Sequence, residues 1–242
     1  ASAPERVGGA GRLEAALGAA EIGVDAFARR GRRTRLGADV SAGLLDVDLR
    51  VEAAASRGTD DPRWRLADAP SPGDYAGLFE TYRPGGWQPA VTAGVDWARR
   101  MGDQDLLTLS AEAFWQKAGA SSGTTYPWLI FQGAFVPFYV GERYAGVFVS
   151  YMRPGLPTAP VVSLSTLGNV SDGSFVTRLD GSWTILTHLR LEAFTAAHYG
   201  NKGGEFRLAL DVPAGTLLGT PFPGISVPAP AAEAGLALRL RI

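Results

Sequence analysis

Apolar and polar residues alternate with a period of two over runs of about ten residues or more, and this limits the possible folds more than any other feature. From Leu45 to Ser56, the residues Leu45, Val47, Leu49, Val51, Ala53 and Ala55 fall on one face of an extended chain. Asp46, Asp48, Arg50 and Glu52 fall on the other. The closing run repeats the pattern, with Leu236, Leu238, Leu240 and Ile242 against Ala237, Arg239 and Arg241. From Phe175 onward, Leu179, Trp183 and Ile185 oppose Arg178, Asp180, Ser182 and Thr184. The pattern then resumes as Leu189, Leu191 and Ala193 against His188, Arg190 and Glu192. With the weaker runs included, twelve strands are predicted, at 20–30, 34–43, 45–56, 88–99, 104–117, 126–140, 143–153, 159–167, 174–185, 188–199, 204–212 and 235–242. The run 126–140 is apolar on both faces and alternates least, and Glu14 to Leu17 reads as helix or as part of an added strand.

Hydrophobic residues are 46% of the 242, yet no stretch of about 18 consecutive apolar residues occurs, which excludes a membrane-spanning helix. The 31 Gly and 16 Pro punctuate short apolar runs, as in an all-β chain with many turns. A net charge of −1 leaves no basic footprint for nucleic acid. Cysteine is absent, so thiolate zinc sites, catalytic thiols and disulfides are excluded. The opening Ala1-Ser2-Ala3-Pro4 suits a mature chain after cleavage at small residues, or a trimmed one.

Alternation alone also fits a soluble antiparallel sheet. Strand length favours a bilayer, because tilted strands need about ten residues to cross one. Aromatic residues sit near the ends of the runs, at Trp87, Trp115, Trp128, Tyr139, Tyr144, Tyr151 and Tyr199, where an interfacial girdle belongs. With the last strand running toward the periplasm, loops 57–87, 118–125, 154–158 and 213–234 and the tight turn 186–187 are expected outside. Turns 100–103 and 141–142 are expected in the periplasm. On these residues, and on the terminal run Gly235 to Ile242, the chain resembles the bacterial outer-membrane β-barrel class and looks porin-like from about residue 20. The terminal run is similar to the assembly signal of such proteins, although it ends in Ile. The resemblance implies a single antiparallel up-and-down transmembrane barrel of about twelve strands over 20–242, in the outer membrane of a Gram-negative bacterium. Residues 1–19 are expected to form a periplasmic segment or an extra strand.

The polar faces then line a lumen. A basic wall of Arg178, Arg190, Arg207, Arg239 and Arg241 is expected to face an acidic wall of Asp39, Asp46, Asp48, Glu52, Asp96 and Glu112. Such a transverse field orients dipolar solutes and selects ions. The competing expectation is that these charges pair between neighbouring strands and fill the barrel. The 57–87 loop supplies a possible constriction through Asp60, Asp61, Arg63, Arg65, Asp74 and Tyr75.

No catalytic pattern emerges. Parity puts His188 and His198 on the lumenal face, with Ser182 or Ser174 as the nearest available serines. No metal or cofactor is expected: Asp60-Asp61 supplies far too few oxygens for calcium, and Gly8-Gly9-Ala10-Gly11-Arg12 lacks the strand and Lys-Ser/Thr of a phosphate loop. The expected function is a passive channel for small polar or ionic solutes, with membrane lipid as its surroundings. One alternative is a non-conducting barrel that anchors an envelope protein partner or forms a homo-oligomer. The other is a soluble ligand-binding β-barrel.

Overall fold

The computed structural model describes residues 7–68, 75–102, 104–153, 158–217 and 219–240. In chain order the strands are β1 (Gly8–Leu17), β2 (Ala20–Arg29), β3 (Arg35–Leu44), β4 (Val47–Arg57), β5 (Arg63–Leu66), β6 (Phe79–Tyr82), β7 (Trp87–Met101) and β8 (Asp105–Gln116). One helix, α1 (Tyr126–Phe131), precedes β9 (Arg143–Met152), β10 (Val161–Asn169), β11 (Ser174–Leu186) and β12 (Leu189–Gly200). Four short strands follow, β13 (Leu210–Val212), β14 (Gly215–Leu217), β15 (Thr220–Phe222) and β16 (Ile225–Val227), before β17 (Ala232–Leu240).

Eleven strands form one antiparallel wall in the order β1-β2-β3-β4-β7-β8-β9-β10-β11-β12-β17, so each wall strand pairs with its sequence neighbours in the up-and-down manner. The remaining strands make three two-stranded ribbons in the loops. Residues 8–17 are the first wall strand, paired from Gly8↔Arg29 to Leu17↔Ala20.

Cross-strand rows fix which residues share a face. One row runs Glu14, Gly23, Asp39, Glu52, Thr92, Phe114, Tyr144, Asn169, Ser174, and most charged residues of the wall fall on this face, the exceptions Arg57, Arg99, Asp105 and Arg143 lying at or near strand ends. The other face carries Leu13, Val24, Leu36, Leu49, Val51, Val95, Leu109, Val147, Leu164, Leu179, Trp183 and Leu238, all of them exposed. Only Phe79, Tyr126, Trp128, Val140, Tyr144, Ala196 and Val212 are buried hydrophobics among the described residues. A soluble β domain of this size turns its apolar face inward. Here the apolar face points out and the charges point in, which overturns the soluble-barrel expectation.

Two belts bound the apolar band. Trp87, Trp115, Phe175 and Tyr199 lie at one end of their strands, and Trp97, Tyr151 and Trp183 lie near the other. Trp87 and Trp97 are ten residues apart. At about 3.3 Å per residue and a tilt near 40°, that spacing spans about 25 Å, the height of the lipid-facing band in membrane barrels.

The connections divide cleanly between the two ends. At one end lie the connections that follow β1, β3, β7, β9 and β11; at the other lie those that follow β2, β4, β8, β10 and β12. The three long excursions share one end, so the ends are named here the turn end and the loop end. This corrects the expected sidedness of 186–187, which belong with the short turns, and of 141–142, which belong to a long excursion at the loop end; most of 154–158 lies outside the described residues. The error came from two runs that are not wall strands.

Residues 126–140 begin as α1 with proline at its start and continue through turns, with Phe138 at φ 64. Their double-sided apolarity reflects burial among loops, where Tyr126, Trp128 and Val140 are all buried. Residues 204–212 hold a 3-10 turn at Glu205–Arg207 and only a short β13, paired with β16. Their backbone is engaged elsewhere: Glu205 N–H donates to Asp172 Oδ2 at 2.9 Å and Phe206 N–H to Ser174 Oγ at 3.0 Å. Leu45 and Asp46, expected in a strand, form the β3–β4 turn, with Leu45 at φ 57 and fully exposed.

Leu179 lies midway between Phe175 and Trp183 on the outward face of β11, and is 43% exposed. Leu179→Arg places a cation near mid-bilayer and should destabilise the barrel in lipid by about 2–4 kcal/mol, read as a lowered denaturant midpoint in vesicles. Ser182→Arg, on the lumenal face of the same strand, should cost far less.

Candidate functional site

The lumenal face of β1 to β8 is a row of local ion clusters. Arg12 reaches Glu14 at 2.5 Å, Asp39 at 2.8 Å and Asp25 at 3.6 Å. Room for the Arg12 guanidinium comes from Gly23, where a Cβ would stand 2.6 Å from Nη2. Gly94 does the same for Arg50, whose Nε lies 2.8 Å from the missing Cβ position. Arg50 bridges Asp96 and, at 3.1 Å, Glu112, while Ser110 donates to Asp96. Glycines set among long charged side chains thus let the charges lie along the wall.

The expected basic wall is built the same way. Arg178 binds Asp180 at 2.8 Å and lies 3.9 Å over the Phe194 ring. Arg190 donates to Ser182 at 2.6 Å and sits 3.5 Å from Glu192, which also holds Arg239 at 3.2 Å. Arg178, Arg190 and Arg239 are therefore lumenal but each is paired with acids on its own wall. Arg207 is not on the wall: it lies in the 3-10 turn and donates to the Gly200 carbonyl at 2.8 Å. Arg241 falls outside the described residues.

Of the acidic residues, Asp39, Asp96 and Glu112 are paired, and Asp46 is in the turn at the far end. Asp48 and Glu52 face the lumen with no hydrogen-bond or ion-pair partner among the described residues. The opposed walls of the sequence reading are thus replaced by pairs between adjacent residues, each dipolar and short in range.

The 58–86 loop is tied back at its root. Asp60 accepts from Arg35 at 3.0 Å and from the Arg33 backbone N–H at 3.4 Å, and Arg83 donates to the Asp60 carbonyl at 3.1 Å. Asp61 is exposed. From this root Arg63 turns inward and lines a space with Thr59 and the lumenal Ala54, Ser56, Gln88 and Gln116. Arg65 instead pairs with Glu80 at 2.6 Å and caps the Tyr82 ring at 5.3 Å. Tyr75 joins the loop core against Phe79, Trp128 and Phe131; Asp74 lies outside the described residues.

The three long loops build a cap at the loop end. Trp128 stacks on Phe79 at 5.2 Å and meets Trp64 edge-on at 5.5 Å. Trp128 and Tyr144 therefore serve this interior rather than a lipid girdle, and Tyr139 lies on the loop against lumenal Phe114 at 6.0 Å. Trp87, Trp115, Tyr151 and Tyr199 keep outward positions on the wall.

Below the aromatics a buried polar network fastens the cap to the rim of β9, β10 and β11. Glu205 accepts from Tyr144 Oη at 2.7 Å, Asn169 Nδ2 at 3.0 Å and the Phe138 N–H at 2.5 Å. Asn169 also donates to Tyr126 Oη at 3.1 Å, and Asp172 accepts from the Ser174 hydroxyl at 2.6 Å. The sequence reading missed Tyr126, Asn169, Asp172 and Glu205, which lie far apart along the chain. Asn169, Asp172 and Ser174 around Gly173 at φ 71 were the available sign of a side-chain-bonded turn.

Neither histidine pairs with a serine. His188 lies in the turn at 187–188, off the lumenal face, and His198 Nδ1 bonds the Phe206 carbonyl at 2.7 Å.

A cleft made of three hollows that share lining residues runs along the lumenal face of the wall. Its upper part, about 200 Å³, is the space around Arg63. It shares Arg35, Ala54 and Ala90 with a central part of about 510 Å³ that holds Arg12, Asp25, Asp39 and Glu52. Thr92 and Phe114 then lead into an aromatic recess of about 270 Å³ lined by Phe138, Tyr139, Tyr144, Phe148 and Leu167.

No family model matches the sequence, and no curated protein matches it. Among solved structures the chain is similar to OmpT, an in-vitro-folded outer membrane protein of Vibrio cholerae, with a TM-score of 0.42 at 10% identity. The match covers 96% of this chain and 63% of that one. The trimer form of the same protein gives a TM-score of 0.42 at 9% identity, over 96% and 64% of the two chains. The chain thus spans less than two thirds of the length of both. Its own wall, all-β and antiparallel with one apolar and one charged face, has the pattern of a transmembrane β-barrel.

Glu205→Ala would leave Phe138 N–H, Tyr144 and Asn169 without their shared acceptor, at a cost of about 1–3 kcal/mol for each group left unsatisfied. Limited proteolysis should then cut within 133–139 while heat-modifiable gel mobility, a property of the wall, is retained. Burial, and after it Asp172, raises the Tyr126 phenol above its ordinary 10.0. A raised phenol stabilises the fold fully below pH 10 and stops doing so as pH climbs through the higher value. Ultraviolet titration should show Tyr126 ionising only as the cap opens, the late phase shrinking in Tyr126→Phe.

Proposed function

We propose that this chain is a passive outer-membrane channel for small polar or ionic solutes. One observation carries the reading: the cap is fastened over β9 to β12, while a charged cleft stays open along β3, β4 and β7, from Arg63 at the loop end to Arg12 and Glu52 in mid-lumen. Paired charges keep that path hydrated, and hydrated solutes can exchange water for ion pairs that turn over easily. The loop end then faces outward and the turn end the periplasm, as long loops and short turns are arranged in outer-membrane barrels.

A non-conducting barrel that anchors a partner is the second reading, and the buried cap core of Tyr126 and Trp128 favours it. Neither reading assigns a catalytic role to Ser174, whose Oγ donates to Asp172, or to His198, whose Nδ1 bonds a carbonyl.

Single-channel recording of refolded protein in a planar bilayer should show discrete steps. A folded barrel that inserts and stays silent would replace the channel with the anchor. In a conducting protein, Arg190→Glu with Arg239→Glu leaves Glu192 among like charges, and the reversal potential should move toward cation selectivity. An unchanged potential would place that wall away from the conducting path.

A further inference from the structure

Most charges in the cleft are already satisfied, Arg12 by Asp39 and Glu14, and Arg35 by Asp60. Two are not. Among the described residues, Glu52 on β4 and Arg63 on β5 have no hydrogen-bond or ion-pair partner, and both line the same connected cleft. Ala54, which borders both parts, is the next inward residue after Glu52, about 7 Å further along the strand. The third surface is apolar: across Phe114 the cleft opens on the recess of Tyr139, Phe148 and Leu167.

We propose that this cleft binds a small zwitterion carrying an apolar or aromatic group, the chemistry of a free aromatic amino acid. The carboxylate meets Arg63, with Arg35 beside it. The ammonium meets Glu52, and the ring lies on Phe114 toward the recess. Both charged groups exchange water for a ligand partner without breaking an existing ion pair, so their desolvation is compensated on binding. The affinity suited to a path that must also release its solute is weak, on the order of millimolar. The inference deepens the channel reading and takes its physiological sense from it, yet binding does not require conduction.

The test is isothermal titration calorimetry on the refolded full chain in detergent, with four probes: phenylalanine, glycine, N-acetylphenylalanine and phenylalaninamide. Phenylalanine should bind about tenfold more tightly than each of the others, which lack the ring, the ammonium or the carboxylate. Glu52→Gln should remove the preference over the acetylated form, and Arg63→Gln the preference over the amide. Phe114→Leu should narrow the margin over glycine; heat-modifiable mobility verifies that each variant is folded. No heat with phenylalanine in a folded protein, equal binding of all four probes, or preferences unchanged in the variants would overturn the proposal. A protein that binds phenylalanine but never conducts would contradict the channel and leave this site standing. One that conducts without binding would do the reverse.

Discussion

A backbone that crosses hydrocarbon has no water to bond, so every N–H and C=O in the crossing segments must find another strand. The rest of the structure follows from this. Short turns at one end keep neighbours in register, and antiparallel ladders satisfy the wall from β2 to β12 on both sides. Eleven is an odd number, so β1 and β17 run in the same direction, both from the loop end to the turn end. Direct closure between these two edges would therefore be parallel, and antiparallel closure would take one more strand.

With the backbone satisfied inside the wall, side chains are sorted by solvent on both sides. Leucine, valine and tryptophan face lipid, where nothing favours their burial inside. The charges face one another across a few ångströms. Because Arg12, Arg50, Arg178 and Arg190 each hold acids on their own strand or no more than two strands away, the lumen is a set of short dipoles rather than one transverse field. Exposed pairs of this kind contribute little stability individually. Their larger effect is on the solute: most of these charges have a partner, and those in the cleft that do not become the points at which a passing molecule can be held.

The two sides of the wall were legible where period two was clean. The alternation at Val47 to Glu52, and again at Leu236 to Leu240, divides the residues into the same two sets as the strand ladders. It also put Arg178, Arg190, Arg239, Asp39, Asp48, Glu52, Asp96 and Glu112 in the lumen. Parity failed where local chemistry takes the backbone out of the ladder. At 204–212 the Asp172 and Ser174 side chains capture the N–H groups of Glu205 and Phe206, and no alternation reports a bond made from 32 or more residues away. At 126–140, apolarity on both faces meant burial in the cap instead of a lipid-facing strand. The first false strand inverted the sidedness of what followed it until the second restored it, which is why 141–142 and 186–187 were expected at the wrong end. The candidate site was half visible: Arg63 and Glu52 stood in the expected constriction and acidic wall. Their shared cleft depends on how the 58–86 loop folds back onto β3, β4 and β7 through Asp60, a contact between distant residues that no single-sequence pattern encodes.

The central claim is the inverted partition, apolar outside and charged inside, and a chain without cysteine is suited to testing it directly. Single cysteines placed in turn along β4 from Val47 to Ser56 and labelled with nitroxide can be examined in reconstituted vesicles for collision with oxygen, which concentrates in lipid, and with a water-soluble nickel chelate. The account predicts a period-two alternation, with Val47, Leu49 and Val51 open to oxygen and Asp48, Arg50 and Glu52 open to nickel. Nickel access at Leu49 and Val51 equal to that at Arg50 and Glu52, or no alternation at all, would contradict it.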